Sequence, residues 1–131
     1  MEKNKELLDL LEKAKEASHK AYAPYSGFKV GAAILTDKGT LFTGCNVENS
    51  SYSLSNCAER TAIFKMVSAG ERVIAKLAVY VENDMLFPPC GACRQVIHEF
   101  GRDVEIVYAS KKDIKFTTIK NLLPESFSLN D

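Results

Sequence analysis

Two short segments constrain this chain more than any other part of it: Asn56-Cys57-Ala58-Glu59-Arg60 and Pro89-Cys90-Gly91-Ala92-Cys93-Arg94. Each stands where a predicted helix begins. A helix N-terminus offers unpaired backbone N–H groups and partial positive charge, and both stabilise a thiolate. The Cys90-x-x-Cys93 spacing sets two sulfurs about one turn apart, able to grip one ion. Cys57 supplies a third ligand from the other helix. Three protein ligands leave one tetrahedral position open, as a catalytic Zn2+ requires. The fold is therefore expected to bring two helix starts together at one point.

Glu59 lies two residues beyond Cys57 and does not share its direction on the helix, so it is expected to reach past the metal toward a water molecule. A carboxylate there takes a proton from water and hands it to a substrate nitrogen. The charge count poses a difficulty, because three thiolates outweigh a divalent cation. Arg60 is the residue expected to offset this, by donating hydrogen bonds to a cysteine sulfur. Two other readings remain: a redox pair at Cys90-x-x-Cys93, or a structural zinc knuckle that also draws on Cys45. Both leave Glu59 without a role, and Cys45 reads as a buried strand residue.

The rest of the chain supplies the scaffold. Residues 2–22 predict an amphipathic helix with Leu7, Leu11, Ala14, Ala17 and Ala21 on one stripe, ended by Pro24. Residues 28–36 and 40–45 predict a hairpin turned at Asp37-Lys38-Gly39. A polar loop leads to a helix over 57–69, capped by Asn56 and stopped by Gly70. Residues 73–81 form a buried strand, 91–100 a helix stopped by Gly101, and 104–109 and 114–118 two more strands. Thr118 to Leu123 suggests a short helix. This order predicts an α/β fold in one domain, residues 1–131, as a three-layer α/β/α sandwich on a five-stranded mixed sheet. Apolar residues at 46% are enough for its core.

Lys+Arg and Asp+Glu balance at 17 each, so no electrostatic footprint marks a nucleic-acid polymer or an anionic membrane as partner. A small, nearly neutral substrate suits the chain better. No apolar stretch approaches the roughly 20 residues of a membrane span. The mixed charge of residues 1–17 lacks the apolar centre of a signal peptide, and a cytoplasmic location is expected. His19 and His98 read as surface residues.

The cysteine clusters fit the zinc deaminase signature in its three-cysteine form: Cys57-Ala58-Glu59, then Pro89-Cys90-Gly91-Ala92-Cys93. The likeness extends to Tyr22-Ala23-Pro24-Tyr25-Ser26, Phe28-Lys29-Val30-Gly31-Ala32-Ala33, Gly44-Cys45-Asn46-Val47-Glu48-Asn49 and Leu122-Leu123-Pro124-Glu125-Ser126-Phe127. Over nearly its whole length the chain resembles the small cytidine deaminases. That resemblance implies hydrolytic deamination of cytidine and 2′-deoxycytidine, with Zn2+ on Cys57, Cys90 and Cys93 and with Glu59 as proton shuttle. It implies that Phe28 packs on the pyrimidine, that Asn46 and Glu48 bind the ribose, and that Ala58 adjoins the substrate. It also implies a homotetramer with shared active sites, Phe127 entering a neighbouring subunit's pocket. By pattern alone, Phe28 reads as core, Asn46 and Glu48 as solvated loop, and Phe127 as packed on either chain.

Two positions depart from the family pattern: Pro88 stands where Ser is common, and Ser55 where Cys or a small residue often lies. Pro88 removes a backbone N–H and a hydroxyl but keeps its carbonyl. One alternative is a related deaminase of another small substrate, such as blasticidin S, which Asn46-Val47-Glu48-Asn49 argues against. A second is a structural zinc module that binds a partner, which the absence of a basic, aromatic-studded stretch disfavours.

Overall fold

The computed structural model describes residues 2–129. Its elements run α1 (Glu2–Ser18), β1 (Val30–Thr36), β2 (Leu41–Cys45), a 3-10 turn (Tyr52–Leu54), α2 (Ala58–Ser68), β3 (Ile74–Val81), α3 (Gly91–Glu99), β4 (Glu105–Ala109), β5 (Ile114–Thr118) and α4 (Ile119–Leu122). The strands form one five-stranded sheet in the order β2-β1-β3-β4-β5. The β3–β4 pair is parallel and the other neighbours are antiparallel. The parallel pair is joined through α3, since parallel neighbours need a crossover rather than a hairpin. Among the described residues, no helix is long and apolar enough to cross a membrane.

Alternate residues of the central strands feed two cores. Ala32, Ile34, Leu77, Val79, Ile106 and Tyr108 pack with Ala58, Ala62, Ile63 and Met66 of α2 and Ile97 of α3. Ala33, Ala78, Tyr80 and Val107 pack with Leu7, Leu10 and Ala14 of α1. The expected three-layer sandwich is therefore present, with α1 on one face and α2 and α3 on the other. Burying Leu7 and Leu10 contributes about 1.5–3 kcal/mol each.

The structure departs from the expected elements where tertiary contacts take over. α1 ends at Ser18, not at residue 22. Beyond it the backbone tightens into turn bonds, and Tyr22 N donates to Asn46 O at 3.0 Å. The buried stripe of α1 runs through Leu7, Leu10, Ala14 and Ser18, with Leu11 and Ala17 at its margins. Gly31 decides this, because a Cβ there would overlap the Ala14 carbonyl oxygen and stand 2.5 Å from Ser18 N. β1 begins at Val30, not at Phe28, because the Asn46 side chain occupies the backbone before it. Its Nδ2 donates to Phe28 O at 2.8 Å and its Oδ1 accepts from Val30 N at 2.9 Å.

Gly39 and Gly70 take positive φ, of 83° and 93°, as their turn and helix-stop positions require. Gly101 does not. A side chain there would meet Val104 and the Ile74 carbonyl, so close packing explains it instead. His98, read as a surface residue, is buried at 7% exposure, and its Nε2 has no hydrogen-bond partner. His19 is exposed.

Candidate metal and active site

The expected cap Asn56 does not cap α2. Its Nδ2 donates to Thr61 Oγ1 at 3.1 Å, and the N-cap position belongs to Cys57, with φ −73° and ψ 154°. Cys90 is likewise the N-cap of α3, with φ −66° and ψ 166°. Neither side chain caps its own helix by a hydrogen bond. An N-cap side chain ordinarily turns back to the first free N–H groups, but here both sulfurs point toward each other across the gap between the helices.

The sheet explains why the two helix starts meet. Val30 at the start of β1 pairs with Val81 at the end of β3, and Gly31 pairs with Cys45 at the end of β2. This end of the sheet forms the floor of a cavity of about 290 Å³. Its walls are Phe28, Val30, Val79, Val81, Phe87 and Pro88, and its polar groups come from Asn46, Cys57, Glu59 and Cys90. Ala58, at 1% exposure, lies against the same cavity.

Sγ of Cys57, Cys90 and Cys93 all lie within 4.8 Å of one another, and the Cys57–Cys90 separation is 4.0 Å. Tetrahedral zinc with Zn–S near 2.3 Å separates sulfurs by about 3.8 Å. The donor set and its spacing therefore fit a zinc ion. The thiols share charge unequally without one. A hydrogen bond from the Cys93 thiol, together with Arg60, brings Cys57 down to about 5. Cys93 is pushed up because it donates to Cys57 and is buried. A divalent cation held by these three cysteines would take the place of that proton.

Arg60 lies where the charge count expects a donor, with Nη2 3.1 Å from Cys57 Sγ. Glu59 is 5% exposed. Burial, helped by the Cys57 charge, raises its carboxyl to about 7 against the opposing pull of a backbone hydrogen bond and Arg60. A group in that range exchanges protons readily near neutral pH.

Not every residue singled out by sequence joins this cavity. Glu48 lines a neighbouring groove of about 400 Å³ with Tyr25, Ser26, Tyr52 and Ser55. Its carboxylate accepts from Tyr25 N at 3.0 Å, Ser26 N at 3.1 Å and the Ser26 hydroxyl. The Ser26 hydroxyl bond chiefly holds its pKa below the usual value. Phe127 is 66% exposed, and its carbonyl accepts from Gln95 Nε2 at 2.8 Å. Ser55 Oγ accepts from Asn49 N at 3.0 Å. Pro88 lines the cavity. Sequence reasoning passed over Phe87, whose ring meets Phe28 edge-to-face with centroids 5.4 Å apart. An aromatic residue just before Pro88-Pro89 and close to Cys90 was the available signal.

Comparison with known proteins agrees with this geometry. The family model described as the cytidine and deoxycytidylate deaminase zinc-binding region matches residues 4–110. The cytidine deaminase of Sporosarcina psychrophila is 52% identical over 124 residues, covering 93% of this chain and 91% of that protein. The cytidine deaminase of Halalkalibacterium halodurans is 45% identical over 124 residues, covering 93% and 94%. The crystal structure of cytidine deaminase from Burkholderia pseudomallei superposes with a TM-score of 0.86 at 51% identity, covering 92% of this chain and 98% of that one. A family match over most of the chain, together with relatives this similar over nearly their full lengths, shows that the chain belongs to the cytidine and deoxycytidylate deaminase family.

Proposed function

We propose that this chain, as a single deaminase domain, hydrolyses cytidine and 2′-deoxycytidine to uridine and 2′-deoxyuridine with release of ammonia, a step of pyrimidine salvage. The observation that carries this reading is the buried Glu59 sharing one cavity with the sulfurs of Cys57 and Cys90, which cluster with Cys93. Cys57, Cys90 and Cys93 would hold Zn2+. When bound, the ion supplies Lewis-acid chemistry, making a water molecule acidic enough to act as a nucleophile near neutral pH.

Glu59 accepts the proton that water gives up on attacking C4 of the base. It delivers that proton to N3, then takes the second proton from the new C4 hydroxyl and hands it to the departing amine as the C4–N bond breaks, so that water and cytidine leave as uridine and ammonia. Its raised pKa suits a group that must take and return protons in one turnover. Phe28 packs against the base from the apolar wall, and Ala58 closes the cavity beside it. Asn46 and Glu48 bind the ribose. Both are already held by backbone partners, so they meet the sugar preorganised. Arg60 withdraws charge from Cys57.

The assembly we propose is a homotetramer in which Phe127 enters a neighbouring subunit's site. Its support is the family membership and the exposure of Tyr52, Leu54 and Phe127, at 75%, 69% and 66%. A stable monomer by light scattering would refute it. The unpaired thiols suit the reducing cytoplasm, where we place the protein. The functional reading is tested by following absorbance and ammonia on mixing the zinc-loaded protein with cytidine, deoxycytidine, cytosine, adenosine and blasticidin S. Release from the two cytosine nucleosides is expected. Turnover of blasticidin S alone, or of none, overturns the reading.

A further inference from the structure

Phe87 sits between two independently anchored walls of the cavity. On its own side, Pro88 and Pro89 join it to Cys90, the N-cap of α3. Each proline fixes its own φ and keeps the residue before it out of helical backbone, so the loop holds Phe87 at a set distance from Cys90. Arg94 Nε fastens the same loop by donating to Pro89 O at 2.7 Å. On the other side, Asn46 clamps the backbone around Phe28 through Phe28 O and Val30 N. The two rings bridge the walls at a centroid distance of 5.4 Å and an interplanar angle of 68°. In this edge-to-face arrangement the positive rim of one ring meets the negative face of the other. Phe28 is 37% exposed and Phe87 38% exposed, so burial alone does not fix either ring.

We propose that Phe87 is a positioning residue, holding the Phe28 ring in the orientation against which the pyrimidine packs and so setting the affinity for substrate rather than the rate of the chemical step. The inference rests on the reading of this cavity as a nucleoside site. The ring pair acts on the unreacted part of the base. Its effect is therefore felt equally in ground and transition states, and a change there moves KM and leaves kcat nearly alone.

The test measures kcat and KM for cytidine, and Kd for the unreactive product uridine by calorimetry, in zinc-loaded variants. Phe87→Leu keeps the wall apolar but removes the ring. It is expected to raise KM and the uridine Kd by about three- to tenfold, the strength of one aromatic pair. Its kcat should stay within about twofold of the parent's with zinc content unchanged, while loss of the ring pair lowers Tm by about 2–6 °C. Phe87→Tyr restores the ring and should restore both constants. Because Phe87 acts through Phe28, the double variant Phe28→Leu/Phe87→Leu should bind no more weakly than Phe28→Leu alone. If Phe87→Leu does not fold, Phe87→Met carries the same expectation. Unchanged KM and Kd in the ring-less variant, a loss confined to kcat, or full additivity in the double variant would overturn the proposal. A zinc-loaded parent that released no ammonia from cytidine yet bound uridine with the predicted variant pattern would sink the functional reading and leave the positioning role standing. Failure of both activity and uridine binding overturns both.

Discussion

Gly44 offers the sharpest test of how the scaffold sets the metal site. It lies on β2 opposite Ala32, under the first turns of α2. A Cβ added there would stand 2.6 Å from Ala62 N, 2.8 Å from Ala58 O and 2.9 Å from Thr61 Cβ. Two of these atoms are helix backbone and do not swing aside, so in Gly44→Ala α2 must lift away from the sheet by several tenths of an ångström. Overpacking of this kind costs about 1–3 kcal/mol. At about 4 °C per kcal/mol for a domain of this size, Tm should fall by about 4–12 °C. The same lift carries Cys57 away from Cys90, whose 4.0 Å sulfur separation already stands slightly above the roughly 3.8 Å of tetrahedral coordination. Zinc should therefore be lost to a chelator about tenfold more readily. Gly31→Ala is the control, because it overpacks the opposite, α1 face of the sheet against Ala14 and Ser18 rather than the face that carries α2 with Cys57. It should lower Tm at least as much while leaving the zinc competition curve where it was. Scanning calorimetry and a colorimetric chelator titration read both quantities. The reasoning fails if Gly44→Ala melts within a degree of the parent, or if both variants lose zinc alike.

Glu59→Gln keeps the volume of the side chain but cannot carry a proton. Cytidine turnover should drop by about 10²–10⁴-fold with zinc retained, and near-parental kcat in a zinc-loaded preparation would remove Glu59 from its role. Arg60→Ala withdraws the donor 3.1 Å from Cys57 Sγ, and zinc affinity or activity should weaken by about 10–100-fold; elemental analysis after dialysis against graded chelator decides it. Stripping the ion should lower Tm by about 15 °C when zinc had stood about a thousandfold above its Kd, an effect of about 4 kcal/mol. A melting curve indifferent to chelator would contradict the three-thiolate site.

The layers and the five strands were legible because period-two and helical patterns are local. The two cysteine clusters were legible because spacing along a helix start is local too. What sequence missed depends on neighbours distant in the chain. The stripe of α1 runs through Leu10 rather than Leu11 because Gly31, on another element, lets that face of the helix approach. Phe28 looked like the first residue of a strand, but the Asn46 side chain, not a neighbouring strand, takes the backbone bonds that would have extended it. Asn56 had the composition of a cap, yet the N-cap position is held by Cys57, and the Asn56 side chain donates to Thr61 Oγ1 instead. Phe87 has no pattern of its own, since its role exists only once the loop before α3 is folded against Phe28.

The order Cys57, Ala58, Glu59, Arg60 has a physical logic that only the folded helix makes visible. Placing cysteine at the N-cap forgoes the usual cap, worth about 1 kcal/mol, at both α2 and α3. In return each helix end brings partial positive charge, about half an elementary charge, to the sulfurs. Three thiolates around a divalent cation leave a net negative charge, and two helix ends with one guanidinium offset it. Glu59 stands in the first turn of α2, where the helix dipole favours an ionised carboxylate. Burial opposes that preference and prevails, since the carboxyl is raised to about 7 rather than lowered. Arg60 stands in the same turn, where the dipole disfavours a cation, so its presence there needs an acceptor. The Cys57 sulfur at 3.1 Å is that acceptor. Cys57 and Arg60 are therefore misplaced by helix rules alone and well placed once the cluster of sulfurs is counted as part of the helix end.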